Sequence, residues 1–374
     1  MPLETSGDGF ALKTLLGTPL LKRMAASLRE YYPDFDRGNF LKIADELEHL
    51  EMKSRVRRIR EALRSLLPPE YPRALKIIIR SSTDPKLSGF DLWPYLDFIS
   101  VYGLDDTDLS LNALKKLTPR FTAEFSIRPF LIIDPVKTLR FLQTCLKDPD
   151  EHVRRWASEG TRPRLPWGER LQKFLKDPSP GIAILEELKF DPSLYVRKSI
   201  ANHLNDIAKD HPKQVLSLLR RWKSEASAQD EKKIEWITHR ALRSLIKAGH
   251  VDALKLIGIA VRAPLILKNF RFLSSRISLG EALAFQFDLK LKSRREEKVV
   301  IDYVIHFLKS NGKRSPKVFK LKTIRLLGLE KVHVKKSHFV RKITTRTYFP
   351  GIQEIAIQVN GRVLHRENWI LSAN

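Results

Sequence analysis

The chain has 374 residues, and its 68 Lys and Arg against 43 Asp and Glu leave a formal net charge of +25. That length supports two or three domains; 43% hydrophobic residues exclude a disordered chain, and no apolar run reaches the ~18 residues of a spanning helix. One cysteine, Cys145, excludes an intramolecular disulfide and a cysteine-based zinc cluster, and MPLETSGDGF lacks the basic and apolar regions of a secretory signal, so a cytoplasmic protein is expected.

Residues 1–260 read as helix after helix. Leu41, Ala44 and Leu47 recur at i, i+3, and so do apolar positions between Ala208 and Leu219. Asp-Pro pairs at Asp134-Pro135, Asp148-Pro149, Asp177-Pro178 and Asp191-Pro192 read as helix starts, because Asp caps and Pro suits the first turn. The acids Asp105, Asp106 and Asp108 lack further ligands at metal-binding spacing and read as capping before Leu109, so neither metal nor cofactor is expected. Glu124 sits in the apolar string Thr122-Ala-Glu-Phe-Ser-Ile-Arg128, where an acid is either paired for structure or held for chemistry.

Two Asp-Pro starts open a repeat. Residues 148–159 (DPDEHVRRWASE) match residues 191–202 (DPSLYVRKSIAN), with a weaker third copy at Ile237-Thr-His-Arg-Ala-Leu-Arg243. A period in the low forties with paired helices marks a HEAT-like solenoid. Its inner-helix columns would be Arg155, Lys198, His239 and Glu159, Asn202, Arg243, a basic wall with one carboxylate. The first copy breaks at Gly160 into a loop in which Arg162, Arg164 and Trp167 flank two prolines, Pro163 and Pro166. Glu159 stands at the helix end, where the dipole disfavours an anion, so a partner is required; Arg155 at i−4 is the simplest.

After Val261 the period becomes two. Leu283, Phe285, Phe287, Leu289 and Leu291 alternate with outward residues, as do Ile301, Tyr303, Ile305 and Phe307, while Ile355, Ile357 and Val359 lead into Asn360-Gly361, a hairpin signal. About seven strands over 262–374 predict an all-β immunoglobulin-like sandwich. From Arg262 onward there are 24 Lys and Arg but 8 Asp and Glu, and Lys309 to Arg346 holds 13 basic residues and only Glu330. A polyanion partner, nucleic acid before membrane, is expected.

Three strings, Tyr102-Gly-Leu-Asp-Asp-Thr-Asp-Leu-Ser-Leu, Ala123-Glu-Phe-Ser-Ile-Arg-Pro-Phe and Val153-Arg-Arg-Trp-Ala-Ser-Glu-Gly-Thr-Arg-Pro-Arg-Leu-Pro-Trp, resemble the AlkC branch of the HEAT-like alkylpurine DNA glycosylases, related to AlkD. The resemblance covers roughly residues 10 to 260. It implies excision of cationic N3-alkylated bases, 3-methyladenine first and 3-methylcytosine as a second candidate, from double-stranded DNA, without the base flipping most glycosylases use. It implies Glu159 as the catalytic carboxylate with Glu124 as its partner, and Trp167, then Trp156, against lesion or deoxyribose. DNA contacts are expected from Arg154, Arg155, Arg162, Arg164, Arg197, Lys198 and His239, and in the sandwich from Lys313, Arg314, Lys335 and Lys336. The AlkD pattern has an aspartate with a tryptophan one turn earlier; this chain has Glu159 with Arg155 at i−4 and Trp156 at i−3, so the aromatic need not sit in the same place. A monomer is expected. The competing reading is a HEAT-repeat nucleic-acid scaffold without catalysis. Signatures of zincins, serine hydrolases and P-loop enzymes do not occur.

Overall fold

A computed structural model describes residues 12–343 and 346–373; the N-terminal MPLETSGDGF segment lies outside them. The chain divides into two compact units that meet at Ile207/Ala208.

The first unit is helical. At Asp134-Pro135 the helix starts as expected, with Pro135 in its first turn and the Asp134 side chain accepting from Lys137 N. At the other three pairs the aspartate acts two residues further on. Asp148, Asp177 and Asp191 accept from the amides of Asp150, Ser179 and Ser193, and the helices Glu151–Gly160, Ser179–Leu188 and Leu194–Ile207 begin after these turns. An aspartate can close such a turn on its own backbone, so Asp-Pro marks the approach to a helix as readily as its cap. The two strong repeat copies supply the helices Glu151–Gly160 and Leu194–Ile207, which pack against each other. The copies share a brace. Arg154 folds back onto the carbonyls of Asp148 and Pro149, and Arg197, its repeat counterpart, onto those of Asp191 and Pro192.

Close approach explains Gly160. A Cβ there would lie 2.6 Å from Ile127 Cγ2, so only glycine lets the end of this helix meet the turn that carries Glu124.

The second unit opens with the helices Pro212–Glu225, Glu231–Ala241, Arg243–Lys247 and Val251–Leu256. Eight strands follow: β1 (Leu265–Phe272), β2 (Arg276–Ile277), β3 (Ala282–Leu291), β4 (Glu297–Leu308), β5 (Arg314–Leu326), β6 (Lys331–Phe339), β7 (Gly351–Val359) and β8 (Arg362–Leu371). They form two sheets, β1-β3-β6 and β2-β8-β7-β4-β5, antiparallel except for the short β2–β8 pair. The alternating residues named above are the core: Leu283, Phe287, Leu289, Leu291, Ile301, Ile305, Ile355 and Ile357 are fully buried. Asn360 and Gly361 both take positive φ, 48° and 78°, and turn β7 into β8. The architecture is therefore a helical region followed by an immunoglobulin-like sandwich.

Secondary structure changes between Leu256 and Leu265, yet the second unit begins fifty residues earlier. The β7–β8 turn shows why helices and strands belong together. Asn360 Nδ2 donates to the Ala260 carbonyl at 2.9 Å and Gln358 Nε2 to that of Lys247 at 3.1 Å. Gly361 meets Gly249 backbone to backbone, so closely that a Cβ on Gly361 would fall 2.4 Å from Gly249 Cα.

Candidate active site

Glu159 is the penultimate residue of the Glu151–Gly160 helix and is 5% exposed; Glu124, in the turn before the helix Arg128–Ile133, is 8% exposed. The two acids therefore come from a helix end and a turn, not from two helices. Arg155 joins them: its Nη1 donates to Glu124 Oε2 at 2.5 Å, and its Nη2 lies 3.4 Å from Glu159 Oε1. The Arg155 guanidinium also lies over the Tyr195 ring, 4.9 Å from its centroid.

Each carboxylate has further partners. Arg162 Nη1 donates to Glu159 Oε1 at 2.6 Å, and the Ser199 hydroxyl to Glu159 Oε2 at 2.6 Å. Arg162 in turn is clamped on Asp206, Nε at 2.9 Å and Nη2 at 2.8 Å from Oδ2. Thr122 donates to Glu124 Oε2 at 2.8 Å. Burial pushes the Glu124 carboxyl above its ordinary value and the Glu159 charge adds to that, while Arg155 and Thr122 oppose it. The result is a buried network of fixed charge in which one acid is predisposed to take up a proton.

The loop after Gly160 is held from beneath. Arg128, 1% exposed, spends its guanidinium on the carbonyls of Gly160, Arg162 and Glu169 rather than on Glu124 four residues before it. At the loop's far end Trp167 is 57% exposed with φ of 64°, a conformation a bulky residue rarely adopts, and its carbonyl accepts from Lys53 Nζ.

The structure places the other expected site residues as follows. Trp156 is fully buried, edge-on to Phe141, and has no face for a lesion. Arg162, 6% exposed, serves Glu159 and Asp206 and is not offered to phosphates. Arg155 is the bridge between the acids, and Arg154 is paired with Asp191 as well as braced on its own turn. Arg197 braces likewise. Lys198 is exposed and Arg164 half-buried. In the second unit His239 is half-buried, its imidazole pushed below its ordinary value by burial and by Lys298 and Lys320. Lys313, Lys335 and Lys336 are exposed, and Arg314 lies 3.6 Å from Glu354. Ser199, Asp206, Thr122 and Tyr195 went unnoticed in the sequence, and only Ser199 carried a signal: it occupies the repeat position of Trp156, where a small residue leaves room beside Glu159.

Behind the site, His203 is buried with Nδ1 3.0 Å from the Ser158 carbonyl, which places its proton on Nδ1 and turns Nε2 toward Gly181. Burial, with the nearby Arg162 charge, lowers its pKa from 6.5 to about 3. Above pH ~6.5 neither state binds this proton; as pH falls toward about 3 the unfolded chain does and the folded one does not, so stability is lost across that window. Denaturant titration should show roughly 2 kcal/mol lost between pH 7 and pH 5 from this group, at about 1.36 kcal/mol per unit. His203→Gln should remove most of that slope; an unchanged slope would assign acid sensitivity elsewhere.

Among the described residues no group of three or more His, Cys, Asp or Glu could hold a metal ion, and no helix is long and apolar enough to cross a membrane. Residues 267–373 match the family described as "Uncharacterised protein YhaZ, C-terminal Ig-like domain". Over 354 residues the chain is 36% identical to YhaZ of Bacillus subtilis (strain 168), covering 94% of this chain and 97% of that one. It is also similar to the Pseudomonas fluorescens alkylpurine DNA glycosylase AlkC, solved bound to DNA containing an abasic site analog, with 39% identity and a TM-score of 0.92. That match covers 97% of this chain and 100% of AlkC. At such identity and coverage, this chain belongs to the family of AlkC and YhaZ.

Proposed function

We propose that this protein is a DNA glycosylase that hydrolyses the N-glycosidic bond of cationic N3-alkylated bases in duplex DNA, with Glu159 and Glu124 as its catalytic carboxylates. The observation that carries the reading is the pair of buried acids joined by one guanidinium, in a chain 39% identical to AlkC. An N3-alkylated base is already cationic. When its bond to C1′ breaks, the bonding electrons neutralise it, and it departs without a general acid. The deoxyribose left behind is an oxocarbenium ion. Fixed negative charge beside that ion, in a site where water does not screen it, is the largest catalytic term available.

Glu159 suits the charge role because Arg155, Arg162 and Ser199 fix both of its oxygens and leave no freedom to reorient. Glu124, raised in pKa, suits the proton taken from the attacking water. Exposed Trp167, held in an uncommon backbone conformation, is the aromatic available to pack on the lesion or its sugar. Such a mechanism acts on the sugar and requires no base pocket, in keeping with excision without flipping. We assign residues 1–260 to the glycosylase domain and 262–374 to a basic domain that contacts DNA, a division by function that places the helices of residues 208–260, compact with the sandwich, on the glycosylase side.

The test is free-base release from methylated duplex DNA, read by chromatography. Released 3-methyladenine, alone or with 3-methylcytosine, is the expected result. Tight, salt-sensitive DNA binding with no base released would replace the enzyme by a scaffold.

A further inference from the structure

The second unit contains a cavity of about 330 Å³ that the base-excision chemistry does not use, bounded by the helices Glu231–Ala241 and Arg243–Lys247 and by β4 and β5. That volume lies within the range of small-molecule sites. Asp302 lines it. This residue follows a register irregularity in β4 and is 3% exposed, and its carboxylate takes no hydrogen bond or ion pair among the described residues. Burial raises its pKa to about 6, against the opposing charges of Lys247 and Lys320. Lining the cavity, this carboxylate is available to an occupant that supplies hydrogen-bond donors.

The rest of the lining says what that occupant carries. Arg240, Lys247, Lys298 and Lys320 surround the cavity, a concentration of cations that suits a phosphate. One of them is already engaged: Lys298 Nζ donates to the Ile257 carbonyl at 3.1 Å. Trp236 adds a flat aromatic wall, with the Arg240 guanidinium 5.6 Å from its ring centroid, and Ile246, Ile257 and Val300 supply apolar surface. The neighbouring cavity of about 400 Å³, which shares His239 and Lys298, sets Glu231, Glu235, Glu296 and Glu297 against Lys223, Lys298 and Arg325, so of these two cavities only the first has a cation excess.

We propose that this cavity binds a nucleotide unit: its phosphate on Lys247, Lys298 and Lys320, its base against Trp236, and an N–H edge of the base donating to Asp302. Phosphate alone leaves the acid and the aromatic unexplained, and an uncharged base leaves the cations unexplained. The same chemistry comes from a free nucleotide or from an unpaired nucleotide of a single strand. The cavity shares no lining residue with the network around the two glutamates, so binding here and base release are tested by different substitutions.

The experiment is calorimetric titration of the full-length protein with each of the four deoxynucleoside monophosphates, with inorganic phosphate, and with a short single-stranded oligonucleotide of mixed sequence. At least one monophosphate should bind at least tenfold more tightly than inorganic phosphate, and Asp302→Asn and Lys320→Gln should each weaken it at least tenfold. Thermal unfolding of both variants shows whether they are folded; Lys320 is exposed, so that variant keeps the test valid if Asp302→Asn does not fold. Binding by the oligonucleotide alone, weakened by the same substitutions, would identify the strand as the source. Inorganic phosphate binding as tightly as every nucleotide, or nucleotide and strand binding indifferent to both substitutions, would overturn the proposal.

Discussion

Glu159→Gln should reduce base release by at least ~10²–10³-fold, the cost of removing one preorganised charge or dipole from a reacting centre. DNA affinity should stay within a few-fold of the parent or rise slightly, since on the proposed function the anion lost is one set beside a polyanion. The substitution keeps shape and both attachment points, so Arg162 and Ser199 can still engage position 159. Single-turnover release measured beside equilibrium binding separates the two effects. If the variant turns over normally, Glu159 has no part in the reaction and the network around it is structural.

Arg155→Met should strongly destabilise the first unit. Arg155 is the one cation shared by Glu124 and Glu159, and both acids are buried. Removing one partner from a buried ion network costs about 3–5 kcal/mol, because the charges left behind are neither solvated nor paired. For a unit of this size that corresponds to a fall in Tm on the order of 10 °C. The sign with pH is opposite to that of His203. Glu124 already lies above its ordinary value, and without Arg155 it rises further, so protonation at acid pH relieves the repulsion. Calorimetry at pH 7 and pH 5 should therefore find a smaller deficit at pH 5. A variant that melts like the parent at both would show that the acids do not depend on this bridge.

The fold was legible in the sequence to the extent that burial has a period. Alternation over Leu283–Leu291 and the Asn360-Gly361 turn marked strands and hairpin, and each appears where the pattern put it. The burial of Trp156 was also legible in the sequence. Val153, Trp156, Ala157 and Gly160 form one i, i+3, i+4, i+7 stripe, and all four are buried. An unusual composition drew attention to the string, and the ordinary periodicity within it went unused. The i−4 pairing of Arg155 with Glu159 was legible and is present, 3.4 Å apart; the more distant partners were hidden for another reason. Arg155 reaches back 31 residues to Glu124, and Asp206 lies 44 residues beyond Arg162. Pairings at that separation depend on how helices stack, and no local pattern encodes them. The arginines therefore looked like a surface for phosphates, whereas most of them hold the interior together.

The Gly249–Gly361 contact has a bearing on how the chain is made. On a ribosome, the loop that follows the Arg243–Lys247 helix emerges about a hundred residues before the turn that covers it, a wait of ~5–20 s at ordinary elongation rates. Through that interval the carbonyls of Lys247 and Ala260 lack the side-chain amides of Gln358 and Asn360. The seam between the helices and the sandwich of the second unit thus closes only once its last two strands are made. A nascent chain stalled anywhere short of residue 361 presents an unfinished seam to chaperones and proteases, while the Glu124–Arg155–Glu159 network, encoded wholly upstream, can already have closed.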